Sequence, residues 1–243
     1  MKNSLVHPRW SIWEALGVFA LIVGCRWLFP LQKMTWLKQI SDFISPTNPL
    51  LGQVFWSSFF LTAYFFLSIG LIIKFRYRLS WSEVGFRPGK EKGWLVMGIG
   101  HAFLLFVTMM VVLAVLSRLL AYEAKPQAVA EVFQTAMTGR ERLLSFLMVA
   151  IIAPFGEELY FRGFLFPAVG KIIGTIPAVI LTSIFFGFLH FDLFRFIPIT
   201  LVGIWFNFLY LRTGSLYTSI VAHSVWNALT ILMFFLAQSI GVS

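Results

Sequence analysis

The sequence predicts an all-α, polytopic transmembrane helix bundle of about seven spans (six to eight), and three observations predict it. Hydrophobic residues make up 59% of the chain and charged residues only 12%, about half the roughly 25% of an ordinary soluble domain. Apolar runs recur from end to end, each near the roughly 20 residues needed to cross a bilayer. The longest polar stretches, Lys74–Lys92 and Glu123–Arg142, are too short to build a core of their own. Residues 1–243 therefore read as a single integral membrane domain.

The first span is expected at Ser11–Phe29. Lys2 and Arg9 before it, and Ile22-Val23-Gly24-Cys25 within it, have the ingredients of a cleaved leader. Glu14, two tryptophans and Arg26 directly after the cysteine interrupt that pattern, so the span is read as retained. Cys25 is the single cysteine, which excludes an internal disulfide and a cysteine-based zinc site.

The second span, Leu50–Ile73, holds no charge. After it come Lys74, Arg76, Arg78, Arg87, Lys90 and Lys92 in one short connection. Short loops rich in Lys and Arg stay cytoplasmic, so this loop and the N-terminus are expected on the cytoplasmic side of a cell membrane, and the Glu123–Arg142 and Asp192–Arg195 connections on the outer side. The net charge of +9 is concentrated there rather than on a folded face, which points away from nucleic acid and toward anionic lipid. The remaining spans are expected at Gly93–Tyr122, Leu143–Gly170, Ile172–Phe191, Phe196–Leu211 and Ser215–Val242, the sixth being short. No internal or inverted repeat is visible, which disfavours a small-solute transporter.

Polar residues at membrane depth carry the functional signal, because an ionisable group there costs roughly 2.5 kcal/mol or more and marks a working site by default. Glu157, Glu158 and Arg162 fall in the fourth span, His190 closes the fifth, and His223 and Asn227 lie in the seventh. Glu158 and Arg162 stand four apart, so they can pair on one helix face. Glu157 is rotated about 100° from Glu158. Phe186 with His190, and His223 with Asn227, repeat the four-residue spacing and each share a face. The midpoint between Glu157 and His190 falls near Ile173-Gly174, where Gly174 and Pro177 supply a turn. Antiparallel helices folded there put both residues at one level, about 20 Å from the turn, with His223 and Asn227 roughly 13 to 19 Å in from the same side. One layer of four polar residues is the expectation. His101 and Asn207 lack such partners and are read as packing or cavity-lining residues.

These residues resemble the motifs of the CPBP family of intramembrane endopeptidases, the CAAX-protease and bacteriocin-processing group. The likeness rests on Glu157-Glu158-x-x-x-Arg162, Phe186-x-x-x-His190 and His223-x-x-x-Asn227, with the Leu211-Arg212-Thr213-Gly214-Ser215-Leu216 turn, over a core of about 143–232. It implies cleavage of a peptide bond in a membrane-associated protein or peptide, with no cofactor. Glu157 would activate water with His190, His223 and Asn227 would hold the oxyanion, and Glu158, Arg162 and Phe186 would support them. Two alternatives stay open. Glu157, His190 and His223 could ligate a divalent metal such as zinc, with Glu158 as base. The same fold could also serve a non-proteolytic membrane binding or regulatory protein.

Overall fold

The computed structural model describes residues 8–28, 34–121 and 132–240, with the side chains of Arg26 and Trp27 left aside. Phe29, Tyr122 and Val242, where three expected spans end, and residues 123–131 of the expected outer connection lie outside the described residues. Among the described residues the chain is helical, with no strand. The helices are α1 (Ile12–Leu28), α2 (Thr35–Ile44), α3 (Pro49–Leu71, extended by a π-turn to Arg76), α4 (Trp94–Leu120), α5 (Gly139–Ile173), α6 (Thr175–Phe188), α7 (Phe196–Thr213) and α8 (Leu216–Ser239).

Seven of these match the expected spans. Five, α3, α4, α5, α7 and α8, are long and apolar enough to cross a membrane, and the protein is an integral membrane protein. The expected span Ile172–Phe191 is a 14-residue helix, about 21 Å long at 1.5 Å per residue and short of a hydrocarbon core of roughly 30 Å. It is short because Gly174, at φ 85°, ends α5, and the helix stops at Phe188 ahead of His190. Helix α2 was not expected. Its Leu37 and Ser41 are buried while Trp36 and Phe43 are exposed, and it sits against α3 because Gly52 lets the Ser41 backbone approach.

Small residues set the helix crossings around the site. A Cβ on Gly203 of α7 would stand 3.0 Å from Ser183 of α6, and one on Gly187 would collide with Thr200. With lipid as apolar as the side chains, such close approach and interhelical hydrogen bonds hold membrane helices together. Asn207 supplies one such link, donating to Ser183 at 3.0 Å and Thr182 at 3.2 Å. His101 supplies another, accepting from Trp205 at 3.2 Å. Both residues therefore join helices, as expected of packing residues.

The basic connection is fastened rather than loose. Leu216 N–H donates to Gly85, Lys90 N–H to Thr213, and Arg87 Nε to Gly214 at 2.9 Å, so the loop clamps the α7–α8 turn. Glu14, the odd charge of the first span, pairs with Arg76 at 2.9 Å and accepts from Tyr77.

Helix α5 is not a uniform α-helix. Met148–Ile152 and Leu159–Leu165 are π-helical, with Ala153–Glu158 α-helical between them. Each π segment ends two residues before a proline, Pro154 or Pro167. A proline ring clashes with the carbonyl four residues back and gives no N–H, and widening the turn to i→i−5 relieves that clash. Such bulges recur at functional sites. Here two of them bracket Glu157 and Glu158.

The α3–α5 contact fixes this segment laterally. Thr62 Oγ1 donates to the Ile152 carbonyl at 3.0 Å, and a Cβ on Gly156 would lie 2.7 Å from Thr62 Oγ1 and 3.1 Å from its Cα. Because α3 backbone, not only a side-chain tip, blocks the space, Gly156→Ala is expected to destabilise by about 1–3 kcal/mol, read as a lowered thermal midpoint of the detergent-purified protein. A midpoint equal to the parent's would show that α3 yields freely.

Candidate functional site

Adjacent carboxylates on one helix end up in opposite surroundings. The Glu158 side chain is 0% exposed and that of Glu157 30% exposed, the consequence of a rotation of about 100° between successive residues. Glu158 points into the bundle, where Oε1 accepts from Arg162 Nη1 at 2.8 Å and from His223 Nδ1 at 2.9 Å. Arg162 Nη2 donates in turn to the Gly203 carbonyl at 3.1 Å. The guanidinium lies 4.7 Å from the Phe186 ring centroid, 5.2 Å from Phe206 and 5.8 Å from Phe161. Ring faces carry the negative lobe of the aromatic quadrupole, so the buried cation is enclosed by one carboxylate, one carbonyl and three π-faces.

His223 stands between the two carboxylates. A carboxylate only accepts, so the Nδ1 bond to Glu158 fixes a proton on Nδ1, and Nε2 faces Glu157 Oε2 at 3.8 Å. That is within ion-pair range and beyond a hydrogen bond. Phe206 stacks on the imidazole at 4.8 Å and 26°, which holds the ring plane.

His190 is arranged differently. Its Nδ1 donates to the Phe186 carbonyl at 2.9 Å, because a carbonyl oxygen cannot be the donor, and Nε2 is left as the acceptor of the neutral ring. The Phe186 ring meets His190 edge-on at 5.0 Å and His223 at 6.2 Å, so it stands between the two imidazoles. His190 is exposed, in the turn between α6 and α7. In that turn burial would raise the Asp192 carboxyl, but hydrogen bonds from the Arg195 N–H and side chain outweigh it and hold Asp192 below the usual carboxylate range.

Asn227, one turn beyond His223 on α8, donates from Nδ2 to the Val149 carbonyl at 2.8 Å. The four polar residues are therefore linked as follows. His223 faces Glu157, His190 is joined to His223 through Phe186, and Asn227 reaches α5 in the π segment before Glu157. Sequence spacing predicts Glu157 beside His190; among the described residues the ion-pair neighbour of Glu157 is His223. Helix α6 ends at Phe188, so His190 is carried by a turn and not by a helix face.

The hydrogen bonds at Nδ1 of His223 and His190 leave Nε2 of each ring as the free nitrogen, the arrangement also found in metal-ligating histidines. Among the described residues no three His, Cys, Asp or Glu side chains are grouped so as to hold a metal ion.

Sequence reasoning did not find Phe206, Gly203, Thr62 or Val149. Gly203 and Phe206 flank the buried stripe of Asn207, but one aromatic among 28 phenylalanines carries no signal of its own, and carbonyl roles leave none.

Residues 139–229 match the family described as type II CAAX prenyl endopeptidase Rce1-like. Two curated relatives are similar over part of their length. One is the putative membrane peptidase YdiL of Bacillus subtilis (strain 168), 32% identical over 37% of this chain and 37% of that protein. The other is CAAX prenyl protease 2 of Homo sapiens, 31% identical over 32% of this chain and 30% of that protein. The chain spans about a third of the length of the curated relatives it matches. No solved structure matches it. The matched stretch holds Glu157, Glu158, Arg162, Phe186, His190, His223 and Asn227.

Removing one member of a buried ion pair strands the other. Arg162→Ala is expected to cost about 3–5 kcal/mol and to lower the unfolding midpoint and yield of the purified protein. Adding Glu158→Gln should recover part of that loss, because the stranded charge goes with it. A double variant no better than Arg162→Ala would mean that the lost ring packing, and not the charge, dominates.

Proposed function

We propose, with the Rce1-like match of residues 139–229 as the premise, that the chain is an intramembrane endopeptidase acting on a peptide bond of a membrane-associated protein or peptide. The observation that carries this reading is the division of labour between neighbouring carboxylates. Glu158 is buried and paired with Arg162 at 2.8 Å, whereas Glu157 is partly exposed and faces His223 at 3.8 Å.

In this reading Glu157 is the general base. It removes a proton from a water molecule, and the water oxygen attacks the carbonyl carbon of the scissile bond. His190 Nε2, the free acceptor of a ring whose other nitrogen is bonded to Phe186 O, orients that water from the mouth of the site. Charge then develops on the carbonyl oxygen. Preorganised N–H donors lower the barrier where such charge appears, and His223, carrying N–H on both ring nitrogens from the start of the cycle, presents Nε2–H as such a donor. Its ring is already fixed by Glu158 and Phe206, so it needs no reorganisation. The tetrahedral intermediate collapses with cleavage of the C–N bond, and the proton taken by Glu157 passes to the leaving amine. Asn227 is the second oxyanion donor in this scheme. The scheme as proposed uses no cofactor. The fastened basic loop and the N-terminus face the cytoplasm of a cell membrane in this proposal, and the site core of about 143–232 works within one membrane domain.

Glu157→Gln keeps the shape and removes the base. New protein termini present in membranes carrying the parent and absent with Glu157→Gln are expected from comparing their proteomes. With a substrate so identified, the purified variant should show no detectable cleavage and an unfolding midpoint close to the parent's, and the parent should keep its activity in strong chelator. Near-normal turnover by Glu157→Gln would exclude it as the base. An unchanged set of termini would favour the non-proteolytic role.

A further inference from the structure

Pro154 leaves a hydrogen-bonding gap in α5. Through the first π segment the bonds run five residues back, and the Ala153 N–H reaches the Met148 carbonyl. The next bond of that register would join residue 154 to Val149, but Pro154 has no N–H to give. The four-back donor to Val149 would be Ala153, which is already engaged with Met148. Both backbone routes to the Val149 carbonyl are closed. At membrane depth no bulk water takes their place, and an unsatisfied carbonyl there is costly.

The Asn227 side chain fills that gap from α8 at 2.8 Å. We infer that Asn227 is a positioning residue for Glu157, its amide supplying to the Val149 carbonyl the hydrogen bond that Pro154 cannot. The consequence is mechanical. Asn227 and His223 lie one turn apart on the same face of α8, so α8 grips α5 at two points, at Val149 inside the first π segment and at Glu157–Glu158 after it. A π segment is a place where register and rotation can change, and a single contact on one side of it leaves the rotation of the following segment unset. Two contacts fix it, and with it the direction in which Glu157 points. The amide keeps a second N–H, whose direction the Val149 bond also sets, so the oxyanion role stands beside this one. The hydrogen-bond exchange stands without any assumption about chemistry; its effect on turnover rests on the endopeptidase reading above.

A cycle of Asn227→Ala, Pro154→Ala and the double variant tests it, because Pro154→Ala returns a backbone N–H to the position from which Val149 is bonded. In the parent background Asn227→Ala should lower the unfolding midpoint of the detergent-purified protein by about 2–4 °C, the shift given by losing one hydrogen bond in a chain of this size. In the Pro154→Ala background the same change should lower it by less than half as much. Equal losses in the two backgrounds would overturn the inference. Asn227→Leu, close in volume and without a donor, checks it where Pro154→Ala does not fold, and an unshifted midpoint for that variant would also overturn it. With a cleavable substrate, kcat of the double variant should exceed that of Asn227→Ala by at least about tenfold with KM little changed, whereas a purely oxyanion role gives the same loss of kcat in both backgrounds. If no variant or parent cleaves anything, the endopeptidase reading fails and the stability cycle still decides the role of Asn227.

Discussion

The constraint on which the rest of this structure depends is the burial of Glu158 and Arg162 as a pair. Neither side chain is more than 1% exposed, and the desolvation of two ions exceeds their attraction unless other groups satisfy them. Three helices supply those groups. Helix α7 contributes the Gly203 carbonyl and Phe206, α6 contributes Phe186, and α8 contributes His223. The pair sits on one helix, so it would form wherever α5 forms; what the tertiary structure adds is the shell that makes its burial tolerable. That shell is also the wall of the candidate site. Phe186 touches both imidazoles and Phe206 stacks on one of them.

Helix α5 meets this constraint by abandoning regularity. Two prolines force two π segments, and the six-residue α segment between them carries both glutamates. A straight helix would keep every carbonyl internally bonded and offer nothing to its neighbours. The widened first turn leaves the Val149 carbonyl to Asn227 of α8, and Thr62 of α3 donates to the Ile152 carbonyl. Irregular backbone at depth is tolerated where protein covers it, and here the covering bonds also tie α5 to its neighbours.

Much of this was legible in the sequence, for identifiable reasons. Hydrophobic length gave the spans, and the cost of intramembrane charge singled out Glu157, Glu158, Arg162, His190 and His223. The four-residue spacing of Glu158 and Arg162 gave their pair, because that geometry is internal to one helix. What the sequence did not disclose depends on tertiary placement. His190 was expected on a helix face, but α6 stops at Phe188, and a stop two residues early turns a face position into a turn position. Helix α2 was missed because its apolar run is short. Glu141 was passed over as part of a polar stretch, yet it is buried and accepts from Ser45, Thr47 and two backbone N–H groups, anchoring the start of α5. Position in sequence said loop; the capping box at Thr138 was the overlooked signal.

The two neighbouring glutamates differ only in the direction they leave the helix, and that direction is set by the backbone between two prolines. Glu158, paired with Arg162, accepts from His223 and ties α5 to α8, whereas Glu157 leaves the helix partly exposed beside the same imidazole; in the endopeptidase reading proposed above it is the second that serves as base. Had the segment continued as an unbroken α-helix, the same residues would keep their spacing yet lose the contacts at Val149 and Ile152 that fix its rotation. The placement of Glu157 therefore follows from Pro154, Thr62 and Asn227 as much as from the residues it faces, and a search for the site's determinants that stopped at ionisable groups would leave out half of what aims it.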